Sequence, residues 1–236
     1  MVLQGAFSVA TAMSALLFYL SRERRCYEKL AAEIRSTFQS ADEIRGGQQL
    51  SSCQYLRACI DEALRIAPPI PGTGWRELKS SDGGSLVVDG HVVPPGTEVG
   101  VNTYALHHNE EYFPNPYKFE PERWLATETP EEQRNIMRAA FAPFSIGCRA
   151  CTGKAMAYLE SSLIIAKILW YFDFEIPPGP LGHVGGGKSG AAGGRDRVAE
   201  YQLYDVLSAG HEGPYLLFHP RKDTGDDLLS EGLTLQ

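Results

Sequence analysis

Phe144-Ser145-Ile146-Gly147-Cys148-Arg149-Ala150-Cys151-Thr152-Gly153 stands directly before a long apolar run: Ala155, Met156, Leu159, Leu163, Ile164, Ile165, Ile168 and Leu169. Ala157, Leu159, Ala166 and Lys167 are good helix formers, so the pattern predicts a loop that delivers Cys151 to a helix N-terminus. That position carries partial positive charge and free backbone N–H groups, and both favour a thiolate. Gly147 and Gly153 permit backbone turns or close approaches that a side chain would block. Arg149, two residues before the sulfur, offers a fixed cation to an acidic group of whatever the sulfur binds. A soft thiolate, an adjacent Arg and flanking glycines suit an iron centre with acidic side groups. Two plainer readings compete. Cys151 can be a small buried residue, or Cys148-x-x-Cys151 can be a thiol redox pair or half of a zinc site. Zinc needs a second pair, yet Cys26, Cys53 and Cys59 lack that spacing and no His cluster replaces them. A thioredoxin-like site should follow a strand in a βαβ unit, a pattern missing here.

A chain of 236 residues can bury a substantial core. Its 43% hydrophobic and 22% charged residues are those of an ordinary globular protein. A formal net charge of -7 argues against nucleic acid as a general partner. Five cysteines, an odd number, give no disulfide framework and suit a reducing compartment.

Residues 1–20 carry no charge, and Arg22, Glu23, Arg24 and Arg25 follow at once. Hydropathy makes this a marginal membrane anchor with a cationic cytosolic flank. Gln4, Ser8, Thr11 and Ser14 dilute it, so a buried helix crossing a protein core is the favoured expectation. Residues 26–38 space Leu30, Ile34 and Phe38 by four, as an amphipathic helix does. Residues 39–49 read as a loop. Ser51 or Ser52 is the expected cap of the next helix, which turns Tyr55, Leu56, Cys59, Ile60, Ala63 and Leu64 inward. Pro68, Pro69 and Pro71 end it. Strand-like pieces follow at 75–78, 85–88, 91–93 and 98–101, with Asp89-Gly90 as a tight hairpin turn. A strand is expected at 172–176, then a hairpin pairing 201–206 with 215–219, then a solvated tail at 221–236. Gly182 to Ser189 formally satisfies Gly-x4-Gly-Lys-Ser, the phosphate-cradling P-loop, but prolines precede it and glycines follow, so the match reads as accidental.

Phe144, Gly147, Arg149, Cys151 and Gly153 fill the pattern Phe-x-x-Gly-x-Arg-x-Cys-x-Gly. This stretch resembles the haem-binding loop of the cytochrome P450 monooxygenases, in particular fungal microsomal-type members. The resemblance extends to Glu62-x-x-Arg65 and to Pro121-Glu122-Arg123-Trp124, which in the family build a buried ion network under the cysteine loop. It takes in Ala10 to Leu17, similar to the second half of the family's central helix, and Pro71 to Glu77. Tyr104 to Asn109 and Phe113 to Arg123 are similar to the family as well, with His107 and His108 read as structural.

The resemblance implies a mainly α fold with small antiparallel β-sheets: a partial cytochrome P450 domain over residues 1–220, corresponding to the family's C-terminal half. It implies haem b held by the Cys151 thiolate. Phe144, Gly147, Arg149 and Gly153 would form the cofactor loop, and Arg76 would meet a propionate. Ser8 would assist proton delivery, although Phe7 stands where the family carries an acid. Ile70 to Thr73 would face substrate. The implied reaction is hydroxylation of a small lipophilic substrate with O2 and electrons from an NADPH-dependent reductase, met at a surface near Arg149 and Lys154. The implied location is the cytosolic face of the endoplasmic reticulum membrane. A non-catalytic remnant of the same family is the alternative, and a P-loop nucleotide-binding protein a more remote one.

Overall fold

The computed structural model describes residues 2–79, 84–206 and 208–221. The expected tail therefore lies outside the described residues except for Arg221. Four helices form the centre: α1 (Val2–Arg22), α2 (Arg24–Thr37), α4 (Gln54–Ile66) and α7 (Lys154–Tyr171). Each touches the other three. Their shared core contains Leu16, Phe18 and Leu20 of α1, Leu30 and Ile34 of α2, Leu56, Cys59 and Ile60 of α4, and Ile165 and Leu169 of α7. Each fully buried Leu or Ile contributes about 1.5–3 kcal/mol, so this apolar contact is what holds the helices together.

The first helix, uncharged as far as Leu20, is thus a core element from Thr11 onward. Among the described residues no helix is long and apolar enough to cross a membrane. Two local expectations are corrected. Residues 39–49 are not a plain loop, since a 3-10 turn occupies Ala41–Glu43 and α3 (Gln48–Ser51) starts inside the stretch. Nor does Ser51 or Ser52 cap α4. Cys53 stands at the cap without a side-chain hydrogen bond, and Glu33 of α2 supplies the acceptor from a distance. Its two carboxylate oxygens take the backbone N–H groups of Tyr55 and Leu56, each at 2.8 Å. An anion at a helix N-terminus meets both the free N–H groups and the positive end of the dipole, so a carboxylate from a neighbouring helix does what a local serine would.

The sheets are small and antiparallel, as expected. β1 (Arg76–Glu77) pairs with β4 (Glu98–Val99), and β2 (Leu86–Val88) with β3 (His91–Val93). Asp89 and Gly90 turn the β2–β3 hairpin with φ of 47° and 77°, the left-handed pair that a tight two-residue hairpin demands. The third sheet overturns the C-terminal hairpin expectation. β5 (Phe172–Glu175) pairs with β6 (Leu217–Pro220), from Phe172 opposite Pro220 to Glu175 opposite Leu217. Residues 201–206 instead make isolated bridges, Tyr201 to Gly186 and Tyr204 to Gly210. Aromatic complementarity explains the choice: Phe218 lies 5.9 Å from Phe172 and 5.6 Å from Phe174, ring to ring.

The P-loop reading ends here. A 3-10 turn covers Pro180–His183, and among the described residues no helix follows Lys188. The N–H groups of Gly187 and Lys188 donate to the carbonyls of Arg197 and Arg195, which leaves them no phosphate to cradle.

Candidate functional site

The remaining short elements include α5 (Thr103–His107), a 3-10 turn at Pro121–Trp124 and α6 (Glu131–Ala140), and α4 and the Pro121–Trp124 turn hold one buried carboxylate between them. Glu62 is fully buried, one turn below Arg65 on α4. Arg65 grips it with a fork, Nε to Oε2 at 3.0 Å and Nη2 to Oε1 at 2.9 Å. Arg123 adds Nε to Oε1 at 3.1 Å, and the Glu120 backbone N–H reaches the same oxygen at 3.0 Å. The indole N–H of Trp124 donates to Oε2 at 2.9 Å. Burial alone would raise the Glu62 carboxyl pKa, but Arg65 and Arg123 outweigh it and hold it below the usual carboxylate range.

The two guanidiniums have N–H groups left over, and the chain satisfies them with carbonyls. Arg65 donates to the carbonyls of His107, Pro116 and Lys118, and Arg123 to that of Pro114. Leaving any of these donors unpaired in the interior would cost about 1–3 kcal/mol. The network thereby ties α4 to α5 and to the Pro-Asn-Pro segment. The sequence pattern named Glu62, Arg65 and Arg123 but not Glu120, whose carboxylate lies 3.5 Å from Arg123 Nη2. It missed Trp124 as a donor and the proline carbonyls as acceptors, although no regular helix or strand uses those carbonyls.

The cysteine loop sits between Ala140 and α7. A 3-10 turn spans Gly147–Arg149, with Gly147 at φ 68° and Ser145 at φ 58°. No atom lies within 4 Å of where a Gly147 side chain would begin, so its conformation rather than crowding demands glycine. Cys151 N–H donates to the Phe144 carbonyl at 2.8 Å and closes the loop. The Cys151 side chain is exposed and unpaired in a disulfide, so the buried-residue reading fails for it. A Cβ on Gly153 would sit 3.7 Å from the Cys151 sulfur, in van der Waals contact with it. The helix begins at Lys154, so the sulfur lies just before its N-terminus, as the spacing predicts.

The loop is fastened at two points near its start, once to α7 and once to α5. The Phe144 ring lies 5.2 Å from that of Tyr158, whose hydroxyl donates to Asp61 at 2.6 Å. Burial raises the Asp61 carboxyl pKa, opposed by Arg57 3.0 Å away. On the other side, the Ala142 N–H donates to Nε2 of His107 at 3.0 Å. No periodic pattern signals either link, since the partners lie far apart along the chain.

The other expected residues are less engaged. Arg149 is exposed. Arg76 is exposed on β1, its guanidinium bonded to the carbonyls of Gly74 and Trp75. Ser8 is half-buried on α1, with Phe7 beside it 63% exposed, so no carboxylate accompanies that hydroxyl in sequence. Among the described residues no group of His, Cys, Asp or Glu could hold a metal ion by itself. Cys148 and Cys151 are the two exposed thiols of the loop, and a single Cys151 sulfur with Arg149 two residues before it in sequence fits an iron carried by an acidic macrocycle better than a protein-only metal site.

The model of the cytochrome P450 family matches residues 1–181. The chain belongs to the cytochrome P450 family. Similar curated proteins include a cytochrome P450 monooxygenase of Alternaria alternata, 44% identical over 222 residues, covering 92% of this chain and 42% of that protein. One from Penicillium oxalicum is 42% identical over 218 residues, covering 92% and 38%. Another, from Gibberella zeae, is 39% identical over 224 residues, covering 95% and 50%. The chain thus spans half or less of the length of these relatives. Among solved structures, a retinoic acid-bound cyanobacterial protein superposes with a TM-score of 0.69 at 24% identity, covering 91% of this chain and 43% of that one. A cytochrome P450 haem domain gives 0.68 at 22% identity, covering 91% and 41%. These likenesses establish the partial cytochrome P450 fold.

Proposed function

We propose that this P450 chain carries the haem-thiolate half of a monooxygenase, with Cys151 as the iron ligand. The observation that carries the reading is an exposed sulfur on a loop whose first residues are fastened to α7 through Phe144 and Tyr158 and to α5 through Ala142 and His107. When bound, haem b would supply oxygen activation, placing one atom of O2 into a C–H bond of a small lipophilic substrate and releasing the other as water. The chain's own residues bind and position. Cys151 presents its sulfur from a site just ahead of the α7 N-terminus. Phe144 shields one side of the loop. Gly147 and Gly153 keep the backbone low, so a flat ligand can approach. Arg149 and Arg76 would take the propionates; Arg76 must first release its two local carbonyls. Ser8 keeps a hydroxyl for holding a proton, and Phe7 relays none.

An NADPH-dependent reductase is the proposed electron source, docking near Arg149 and Lys154, both of which are exposed. Placement at the cytosolic face of the endoplasmic reticulum rests on the resemblance to fungal microsomal members, and α1 adds no support. A second reading, a remnant that binds haem without turnover, is favoured by the Phe7 position. The test is to add haem to the purified chain, reduce it and add carbon monoxide. A strongly red-shifted Soret band, lost in Cys151→Ala, is expected; its absence in the wild-type chain overturns the proposal. Turnover with a reductase then separates the enzyme from the remnant.

A further inference from the structure

We propose that His107 is the positioning residue that couples the buried Glu62 network to the cysteine loop, and that its acceptor nitrogen, rather than its bulk, performs the task. The ring is fully buried at the end of α5. Nδ1 lies 3.1 Å from the Arg65 carbonyl oxygen, and Nε2 accepts the Ala142 N–H at 3.0 Å. A backbone N–H only donates, so Nε2 is unprotonated and the ring proton sits on Nδ1, pointing at Arg65. An imidazolium would set two N–H groups against each other at Ala142. Burial, then the Arg65 charge, pushes the imidazole pKa down to about 3, which keeps that neutral tautomer in place. Phe141 stacks on the ring at 5.6 Å and Phe113 meets it edge-on at 6.0 Å, so the ring has little freedom to turn.

The exchange between residues 65 and 107 is reciprocal, because Arg65 Nη1 donates to the His107 carbonyl at 2.9 Å. The His107 backbone and ring are therefore both fixed by the residue that grips Glu62. From the ring the connection runs to Ala142, two residues before Phe144, whose carbonyl receives the Cys151 N–H. Among the described residues, the His107–Ala142 bond is the one side-chain hydrogen bond made to residues 142–153. The rest of that stretch is held by its own backbone and by ring contacts. A loop with a single polar tether takes its position from that tether.

The inference rests on the Cys151 reading for one of its two measurements, and the other is independent of it. His107→Gln keeps an acceptor near the place of Nε2. His107→Asn keeps a donor near Nδ1 but cannot reach Ala142. Amide hydrogen exchange on the haem-free chain is expected to rise about tenfold at Ala142 and Cys151 in His107→Asn, and to stay near wild type in His107→Gln. The amides of α4 should be unaffected in both. In the haem-loaded chain, the fraction of thiolate-type carbon monoxide complex should fall in Asn and recover in Gln. Equal exchange in the two variants, or exchange that rises as much in α4 as in the loop, assigns His107 to packing and overturns the proposal. Should His107→Asn fail to fold, Ala142→Pro deletes the donor instead, and normal exchange at Cys151 in that variant is equally fatal. A wild-type chain without the thiolate signature would sink the haem reading and leave the exchange result to decide His107.

Discussion

Glu62 accepts from two guanidiniums, one indole and one backbone N–H, with no exposure to solvent. Removing its charge strands two buried cations. Glu62→Gln should therefore lose about 3–5 kcal/mol in denaturant unfolding, against a fraction of that for an exposed ion pair such as Arg24–Glu28. Trp124→Phe keeps the ring against Phe141 at 4.7 Å but removes the donor to the carboxylate. A loss of about 1.5–3 kcal/mol is expected, since the lost bond was to a charged group; a neutral result would mean that water replaces the indole. Cys151→Ser, by contrast, changes an exposed atom and should leave the unfolding free energy within about 0.5 kcal/mol. At this scale the sequence was partly readable. Glu62 and Arg65 are three apart on one helix, a spacing visible in the letters. The Trp124 and His107 bonds span 62 and 35 residues and left no periodic trace.

Among the elements, the amphipathic helices were legible because apolar spacing reports directly which face is buried: Leu30, Ile34 and Phe38 of the second helix region are all in the core. What the spacing could not report was how α4 starts. Glu33 lies 22 residues from Tyr55 in sequence and caps it across the helix interface. Glu33→Ala should cost about 1 kcal/mol and raise amide exchange in the first turn of α4; an unchanged first turn would show that Cys53 alone suffices. The C-terminal hairpin was misjudged for a similar reason. Strand propensity identified 215–219 as extended, but its partner was decided by the Phe172, Phe174 and Phe218 rings, a contact between distant segments. The formal P-loop match failed because a motif needs its strand and helix, and the structure supplies neither around Gly182–Lys188.

Over the whole molecule, charge sets the acid limit. The unfolded His107 takes a proton near its ordinary value of 6.5, while the folded ring resists until about 3. Between those values the unfolded state binds the extra proton, so stability rises with pH across that window and is flat above it. The slope from this one group approaches about 1.4 kcal/mol per pH unit. His108, pushed down to about 4 by burial, adds in the same direction. Glu62, held low by its arginines, contributes stability that is lost as pH falls through its depressed folded value. Urea unfolding between pH 7 and pH 4.5 should show this decline, shallower in His107→Gln; a flat profile contradicts the burial of both rings. The helical core, the ion network and the loop make one mechanical unit, in which a sulfur at the surface is braced from the interior. X-ray absorption at the iron edge of the haem-loaded chain tests that unit at its tip. One sulfur bonded to iron is expected in the wild-type chain and none in Cys151→Ala. Iron without a sulfur neighbour in the wild type, or a sulfur that persists when Cys151 is gone, would contradict it.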